Sequence, residues 1–453
     1  MRAATYPDYR TTGIAWLPRV PSHWPVARMG QLFREVNEPG NDELPVLSVS
    51  IHHGVSDAEL PEEELDRKVS RSDDRSKYKR VRPGDLVYNM MRAWQGGFGT
   101  VRVEGAVSPA YVVARPAHEV EARFIELLLR TPQAVTEMKR FSKGVTDFRL
   151  RLYWDEFKCI RLALPNRIEQ LGIINFLDRE TAKIDALVDE QNRLIELLQE
   201  KRQAVISHAV TKGLDPNASM KDSGVEWLGQ VPRHWGRPLK LASLASREKH
   251  SFVNGPFGSD LLTTELRAEG VPVIYIRDLK LSGYARVSEW CVTEDKAAEL
   301  KFCNALPGDI LIAKVGDPPG LAALYPDEEP DAIVTQDVIR LRPDLDHVVP
   351  GFLVYLLNSA AGKALVDQIS VESTRTRVGL GDYKEMKVCM PPVQEQQQIV
   401  TYLDKTTAQL DHLKASAEAA VWLLGERRSS LISAVVTGKI DVRGSANVEA
   451  EAA

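Results

Sequence analysis

The chain has 453 residues, of which 43 % are hydrophobic and 27 % are charged, and its formal net charge is -5 at pH 7. This composition is typical of a globular protein long enough for two or three domains, and it excludes a chain coated with basic residues. It leaves DNA binding open, because nucleic-acid affinity depends on where positive charges lie and not on their sum.

The N-terminal residues lack the basic start and apolar run of a signal peptide, and no apolar stretch approaches the roughly 20 residues of a membrane span. We therefore expect the protein in the cytoplasm. The cysteines are Cys159, Cys291, Cys303 and Cys389, and their spacing fits neither a zinc site nor a disulfide framework. We predict reduced thiols and no bound metal.

The first repeated element is a short motif, here called the Trp-His segment, at residues 13–24 and 224–235. In its first copy the recurring residues are Gly13, Trp16, Leu17, Val20, Pro21, His23 and Trp24, and they return in the same order as Gly224, Trp227, Leu228, Val231, Pro232, His234 and Trp235. The chain is therefore predicted to consist of two tandem halves. We interpret both histidines as structural.

The globular region after the first Trp-His segment has strand-like runs at 45–51 and 111–114, a turn leading into a strand at 83–87, and a helical stretch at 122–129. Basic, amide and aromatic side chains gather there, and such side chains suit phosphates and base edges. The candidate DNA-binding residues are Arg75, Lys77, Lys79, Arg92, Trp94, Gln95, Lys143, Arg149 and Arg151. Each cluster taken alone also fits an ordinary solvated surface.

The longest repeated element is residues 164–215, which return without insertion as residues 390–441. Apolar residues such as Ile173, Leu177 and Ile184 recur at helical spacing, which predicts a coiled-coil seam on one long helix. About 40 helical residues at ~1.5 Å each give a rod roughly 60 Å long. Heptads alone also fit a dimerising coiled coil, but two copies in one chain favour an intramolecular antiparallel pair.

The second globular region repeats the turn and strand at 307–311 and has further strand-like runs at 271–276 and 338–341. Its candidate DNA-binding residues are Asn254, Phe257, Ser259, Lys314, Arg375 and Arg377. Because the two halves place different side chains on similar supports, we predict that one molecule reads two different sequences. A head-to-tail arrangement of the halves also predicts that the chain termini lie close together.

Several longer motifs indicate which family of proteins the chain resembles. They are EKRQAVIS at 200–207, TKGLD at 211–215, DSGVEWLG at 222–229 followed by the second Trp-His residues, and Pro391-Pro392 with Glu395-Gln396. On these motifs, nearly the whole chain resembles the specificity subunits of Type I restriction-modification systems. One departure is Asn166-Arg167 in the first copy, where the second has Pro392-Val393.

The resemblance implies two target-recognition domains, each reading half of an asymmetric bipartite DNA site. With the repeats, it gives the predicted fold class: α+β, two globular target-recognition domains in tandem, separated by an antiparallel coiled coil of two long helices, with a pseudo-twofold internal repeat. The predicted boundaries are domain 1 at 1–165, helix 1 at 166–213, domain 2 at 214–390, helix 2 at 391–437 and a C-terminal tail at 438–453, without fixed structure from 444 onward.

The resemblance also implies the partners, which are double-stranded DNA, two modification subunits docked on the helices and, in complexes that cleave DNA, restriction subunits. The residues predicted to bind the modification subunits are Glu169, Gln170, Glu395 and Gln396. Modification subunits would bring S-adenosylmethionine and methylate adenine, and restriction subunits would use ATP and Mg²⁺. The chain itself is predicted to hold no cofactor.

Two other functions fit parts of the sequence: a self-contained DNA methyltransferase or nuclease, and a passive coiled-coil scaffold. Residues 317–320, DPPG, are similar to the Asp-Pro-Pro-aromatic loop of amino-methyltransferases, but glycine takes the aromatic place and there is no GxGxxG motif. Glu385 and Lys387 form the Glu-x-Lys pair of some nucleases, yet the same pair recurs elsewhere in the chain. No GxxxxGK[ST] phosphate loop is present. The sequence therefore predicts a chain without catalytic residues.

Overall fold

The computed structural model describes residues 4–41, 43–61, 77–117, 120–144, 150–256, 258, 260–316, 319–369 and 377–446. The candidate residues outside these ranges are Arg75, Arg149, Phe257, Ser259 and Arg375. The chain divides into two compact units. The first combines Met1–Asn192 with Ala419–Ala453, and the second is Arg193–Glu418.

The first unit contains the N-terminal globular region and parts of two long helices. Its strands are β1 (Tyr9–Thr11), β2 (Arg19–Pro21), β3 (Val26–Arg28), β4 (Phe33–Val36), β5 (Val49–Ser50), β6 (Gly54–Val55), β7 (Lys79–Val81), β8 (Leu86–Asn89), β9 (Phe98–Thr100), β10 (Gly105–Val107), β11 (Tyr111–Pro116) and β12 (Arg161–Ala163). Its helices are α1 (Met29–Leu32), α2 (Ala122–Leu129), α3 (Pro132–Phe141), α4 (Trp154–Phe157) and the N-terminal part of α5 (Arg167–Lys212). The C-terminal part of the second long helix completes the unit.

An antiparallel four-stranded sheet with the order β4-β11-β8-β9 organises the globular part of the first unit. The predicted turn precedes β8, and Gly84 has a φ of +94° there, a left-handed conformation that glycine adopts without strain. Side chains alternate along β8, so that Leu86 and Tyr88 enter the main core, whereas Val87 enters a smaller core on the other face. The strand predicted at 45–51 is shorter, because only β5 forms within it.

The main core of the first unit joins the Trp-His segment to the globular region and to both long helices. Trp24 and Phe124 are fully buried in it, beside Ile173 and Leu177 of α5 and Val435 of the second long helix. The helices therefore belong to the core of the unit instead of extending from it as separate elements.

The second unit contains the second globular region and the remaining parts of the long helices. Its strands are β13 (Met220–Asp222), β14 (Gln230–Pro232), β15 (Leu239–Lys240), β16 (Phe252–Asn254), β17 (Val271–Ile274), β18 (Leu279–Lys280), β19 (Gly283–Tyr284), β20 (Cys291–Val292), β21 (Asn304–Ala305), β22 (Ile310–Ala313), β23 (Ala322–Leu324), β24 (Ala332–Val334), β25 (Val338–Leu341) and β26 (Lys387–Val388). Its helices are α6 (Glu294–Glu299), α7 (Pro350–Asn358), α8 (Ala360–Ile369), α9 (Leu380–Glu385), the N-terminal part of α10 (Val393–Val436) and the C-terminal part of α5.

The sheet β16-β25-β22-β23 is antiparallel and matches the order of β4-β11-β8-β9 in the first unit. Its core contains Trp235, Phe352 and Ile399, so the second Trp-His segment packs on its own long helix, as the first one does. A second four-stranded sheet, β20-β17-β24-β21, includes a parallel contact between β17 and β24. Side chains of this sheet pack into a further hydrophobic core of the second unit.

Helices α5 and α10 pair in both units. In the first unit Arg428 Nε lies 3.1 Å from Asp185 Oδ1, and in the second unit Arg202 Nε lies 3.1 Å from Asp411 Oδ1. A late residue of one helix thus meets an early residue of the other in each case, so the helices run antiparallel. The predicted fold class, with two globular regions and an antiparallel coiled coil, is confirmed.

Both long helices end at a glycine. Gly213 and Gly438 have the same φ of +74°, the left-handed conformation of a helix C-cap. The observed helices begin and end within two residues of the predicted boundaries. Neither of them, nor any other described helix, is long and apolar enough to cross a membrane.

The two ends of the described chain meet in the first unit. The Asp441 N–H donates a hydrogen bond to the carbonyl oxygen of Ala4 at 2.8 Å, and Ile440 and Val442 pack into the main core. The predicted proximity of the termini is therefore confirmed. Within residues 438–442, predicted as part of a tail, the side chain of Val442 is buried in the core and that of Ile440 packs against it.

Candidate nucleic-acid interface

The loop after β8 carries Arg92, Trp94 and Gln95. A 3-10 helix, Ala93–Gln95, forms directly after the strand. The indole N–H of Trp94 donates to the carbonyl of Met91 at 3.0 Å, and the Lys139 amine of α3 lies 5.6 Å from the Trp94 ring centroid. Trp94 therefore holds the loop against α3, while the side chain of Gln95 is exposed.

Lys143 and Arg151 lie beside this loop. Each donates a backbone hydrogen bond to the other at 2.9 Å, and the next amide, that of Leu152, donates to the carbonyl of Met90 at 2.9 Å. The Lys143 amine pairs with Glu156, which raises the lysine pKa through a side-chain hydrogen bond. The side chain of Arg151 is exposed and forms no ion pair with another described residue.

Lys79 has an internal role that the sequence did not predict. Its amine donates to the carbonyl oxygen of Tyr111 at 2.8 Å, and burial lowers the lysine pKa. The amine thus bridges β7 and β11 within the globular region, and we remove Lys79 from the candidate DNA contacts. Lys77 is exposed and stays a candidate.

In the second unit, Lys314 and Arg377 lie on neighbouring segments. The Lys314 amide donates to the carbonyl of Asp337 at 2.8 Å, and the Val378 amide donates to the carbonyl of Lys314 at 3.1 Å. The Arg377 guanidinium lies 3.6 Å from the carboxylate of Asp337. Burial, followed by the nearby positive charge of Arg377, lowers the pKa of Lys314. The structure therefore brings two predicted cations together around a carboxylate that the sequence analysis did not select.

Asn254, which was predicted to bind DNA, lies at the end of β16. Its side-chain N–H donates to the carbonyl of Gly255 at 3.0 Å, and this bond supports the turn that follows the strand. The side chain is half-buried. Its amide is thus partly committed to the local backbone.

A repeated ion pair supports the turn in each unit. Arg115 donates from Nε and Nη2 to the two carboxylate oxygens of Asp85 at 2.8 and 2.9 Å. Arg342 donates to Asp309 in the same bidentate manner at 3.0 and 3.0 Å. Both carboxylates are buried, so the turn before each loop is held rigidly. Sequence reasoning identified the turn aspartates but missed their arginine partners, which lie at the C-terminal ends of β11 and β25, Arg115 one residue before the end and Arg342 one residue after it.

Glu169 and Gln170, predicted as partner contacts, lie at the start of α5 inside the first unit. The Glu169 carboxylate accepts hydrogen bonds from the Tyr6 hydroxyl at 2.8 Å and the Trp24 indole at 3.1 Å, and His23 Nε2 lies 2.8 Å away. Burial, together with the hydrogen bond to Glu169, raises the Tyr6 pKa far above its ordinary value. The Gln170 side chain accepts a hydrogen bond from the N–H of residue 121 at 2.9 Å and donates one to the carbonyl of residue 165 at 2.8 Å.

Glu395 and Gln396 repeat this junction in the second unit. Glu395 accepts a hydrogen bond from Trp235 Nε1 at 3.1 Å and lies 2.7 Å from His234 Nε2. The Gln396 amide accepts from the Val349 N–H at 2.8 Å and donates to the backbone carbonyl of residue 391 at 2.9 Å. These contacts account for the repeated Glu-Gln pairs without a partner subunit. We therefore reassign all four residues to the junction between the Trp-His segment and its helix.

The sequence has known relatives. The profile of the Type I restriction modification DNA specificity domain matches residues 263–420. The Type I restriction enzyme StySPI specificity subunit from Salmonella potsdam is 21 % identical over 350 residues, which are 76 % of this chain and 68 % of the relative. The chain is therefore similar to the specificity subunits of Type I restriction-modification systems.

Two solved structures resemble the chain. One comes from work on complex assembly and conformational transition of the type I R-M system. The match covers 92 % of this chain and 98 % of the solved chain, with a TM-score of 0.64 and 17 % identity. The other is the HsdS subunit from Thermoanaerobacter tengcongensis, which covers 93 % of this chain and 98 % of its own, with a TM-score of 0.55 and 18 % identity. At these identities the likeness shows the fold.

The matched specificity domain includes Lys314, Asp337 and Arg377, which form the cluster described above. Within the part of the chain that the structure describes, no group of three or more His, Cys, Asp or Glu side chains is placed to hold a metal ion.

Proposed function

We propose that this chain is a Type I specificity subunit that reads an asymmetric bipartite DNA target, one half-site per unit, and contributes no catalytic chemistry of its own. The observation that carries the proposal is the shared frame of the two units. In both, a bidentate Arg-Asp pair holds the turn and the same strand order supports the loop. The loops themselves differ, with Met90 in the first unit where the second has Lys314.

The two units have the same strand order and the same Arg-Asp pair, but their loops carry different side chains. We therefore expect them to read two different half-sites. Backbone supports of this kind set the register of a protein on the duplex, whereas the side chains that reach base edges set the sequence. In the first unit these are Arg92, Gln95 and Arg151, and in the second Lys314 and Arg377. The relatives that match the chain are named specificity subunits, which supports a role in recognition without catalysis.

We further propose that two modification subunits dock on the paired helices. Leu187 and Leu413 occupy equivalent positions of the repeat and are 45 % and 52 % exposed. Exposed apolar side chains on a helix pair suit a protein partner better than water. The modification subunits supply S-adenosylmethionine and methylate adenine, and a restriction subunit supplies ATP-dependent cleavage with Mg²⁺.

Mapping methylated adenines tests the proposal directly. Cells that make this chain with its modification subunits are expected to carry methyl groups at one asymmetric sequence with two defined parts and an unread spacer. The variant Gln95→Ala, in the first loop, should relax the sequence of one half-site and leave the other unchanged. Relaxation of both half-sites would contradict independent reading by the two units.

The length of the helices provides a second test. Deleting the equivalent segments 190–196 and 416–422 removes seven residues from each helix and keeps the heptad phase. Each helix shortens by about 10 Å, which is roughly three base pairs of duplex. We expect a shorter spacer with both half-sites unaltered. An unchanged spacer would show that the helices do not set it.

Incubating the purified chain with labelled S-adenosylmethionine and DNA separates a specificity subunit from a self-contained methyltransferase. We expect methyl transfer only after the modification subunits are added. Transfer by the chain alone would contradict the proposal, and equal binding of the complex to its target and to random DNA would indicate a scaffold.

A further inference from the structure

Backbone hydrogen bonds place three positions of the first unit in correspondence with three positions of the second. In the first unit the Met90 amide donates to the Ala110 carbonyl at 3.4 Å, and the Leu152 amide donates to the Met90 carbonyl at 2.9 Å. In the second unit, Lys314 makes the same pair of bonds to Asp337 and from Val378, at 2.8 and 3.1 Å. Ala110 therefore corresponds to Asp337. Likewise, Leu152 corresponds to Val378, and the residue before each of them, Arg151 and Arg377, also corresponds.

The residues that precede these amides are both arginines, Arg151 and Arg377. Each also forms an isolated backbone bridge with a neighbouring segment. The two units thus present an arginine at the same place in the frame, beside the loop that follows β8 or β22.

At the corresponding positions Ala110 and Asp337, the two units differ by one carboxylate. Arg377 lies 3.6 Å from the Asp337 carboxylate, whereas the corresponding residue beside Arg151 is Ala110. No described residue forms an ion pair with Arg151. Lys314 adds a second positive charge next to Asp337, and the corresponding Met90 adds none. At these corresponding positions the second unit therefore has two cations and one carboxylate, whereas the first has one arginine and no carboxylate.

We infer that Asp337 competes with DNA phosphate for Arg377 and Lys314, and so lowers the affinity of the second unit for DNA of any sequence. A carboxylate at this distance occupies the guanidinium in the free protein and repels an approaching phosphate. The inference rests on the proposed DNA binding by both units. It makes the second half-site depend more on base contacts than the first.

The exposure of the pair argues against a mainly structural role. The side chains of Arg377 and Asp337 are 53 % and 43 % exposed, and ion pairs in water contribute little to folding. The backbone bonds of this site use the carbonyl of Asp337 and not its carboxylate. The substitution Asp337→Asn therefore preserves the frame and removes only the charge.

The experiment uses the full chain and a random-sequence duplex, with fluorescence anisotropy measured over a range of salt concentrations. If Asp337→Asn allows one more phosphate to be bound, we expect binding to tighten roughly threefold near ~100 mM salt and its salt dependence to steepen by about one unit. The double variant with Arg377→Ala should lose most of this increase in affinity. In the first unit Ala110→Asp should weaken binding, and Arg151→Ala should abolish that effect.

Elution from heparin, a polyanion, provides a readout that does not depend on DNA recognition. We expect Asp337→Asn to elute at higher salt than the unmodified chain, with no change in its thermal unfolding. Unchanged elution and unchanged DNA affinity would overturn the inference, as would tighter binding that persists when both Arg377→Ala and Lys314→Ala are present. A chain that shows the heparin shift but binds no DNA, even with its modification subunits, would instead overturn the proposed function.

Discussion

A single buried carboxylate, that of Glu169, ties the first long helix to the N-terminal Trp-His segment. It accepts from Tyr6 and Trp24, which are themselves buried. Donors that lose their acceptor inside a protein cannot recover the lost hydrogen bond from water. The junction should therefore depend strongly on this residue.

We expect Glu169→Ala to lower the free energy of unfolding of the first unit by about 2–4 kcal/mol, because two buried donors lose their acceptor. Glu395→Ala should have a smaller effect, since the Glu395 side chain is 21 % exposed and that of Glu169 is 5 % exposed. Urea denaturation of the full chain, followed by hydrogen exchange in each unit, measures both effects. Glu190→Ala, on the exposed surface of the same helix, is the control and should change little.

Asp441 makes the closure of the chain termini sensitive to pH. The Arg443 guanidinium donates hydrogen bonds to the Asp441 carboxylate and thereby lowers its pKa below the ordinary value of 3.8. The folded protein binds this proton less readily than the unfolded chain, so the contribution to stability is present above the unfolded pKa. It is lost as the pH falls through the folded pKa.

We therefore expect the unmodified chain to lose more stability than Asp441→Asn as the pH is lowered below 3.8, the ordinary pKa of the group, in thermal unfolding followed through the first unit. Arg443→Ala should reduce the difference between the two. Parallel acid profiles for the unmodified chain and Asp441→Asn would contradict this assignment.

At the scale of elements, the long helices are stabilised by the apolar seam and not by their ion pairs. Ile173 and Ile399, equivalent in the repeat, are fully buried. The interhelical pairs that include Arg202 and Arg428 are partly exposed, and such pairs contribute about 0–1 kcal/mol. The heptad spacing predicted this seam because a helix brings every third or fourth residue to one face.

Truncating the seam should be costly in both units. We expect Ile173→Ala and Ile399→Ala to lower the free energy of unfolding by about 2–5 kcal/mol each, because each leaves a cavity in a packed core. Leu187→Ala and Leu413→Ala remove side chains that are about half exposed and should change it by less than about 1 kcal/mol. Chemical denaturation compares the four variants, and equal losses at all four positions would show that the seam is misplaced.

At the scale of the whole molecule, the two units differ in how the chain builds them. The second unit is one continuous segment, Arg193–Glu418, whereas the first needs both ends of the chain. The hydrogen bond from Asp441 to Ala4 joins those ends. The C-terminal residues therefore stabilise the unit that contains the N-terminus.

Removing residues 438–453 should destabilise the first unit and leave the second intact, because the core loses the buried Val442 and the half-buried Ile440. Their burial stabilises the unit by about 2–4 kcal/mol. Hydrogen exchange should accelerate in peptides of the first unit only. A control chain lacking only residues 447–453 should keep its protection, and equal acceleration in both units would contradict the separate assembly of their cores.

The candidate interface was only partly predictable from sequence. Basic residues near the repeated turn were identified, and the structure does bring Lys143 beside Arg151 and Lys314 beside Arg377. Lys79 was chosen for its charge, yet its amine is bound to Tyr111. Charge and spacing do not reveal whether a cation faces solvent or a carbonyl from another strand, because that depends on residues distant in the chain.

The sequence by itself determined the two tandem halves, the antiparallel pair of long helices and the turn before each central strand. These features arise from repetition and from periodicity between near neighbours, which consecutive residues encode. Only the tertiary structure decided that Glu169 and Glu395 serve internal junctions and that Asp337 faces Arg377 where Ala110 accompanies Arg151. Such pairings join segments far apart in the chain, so the packing of strands and helices, and not local pattern, selects them.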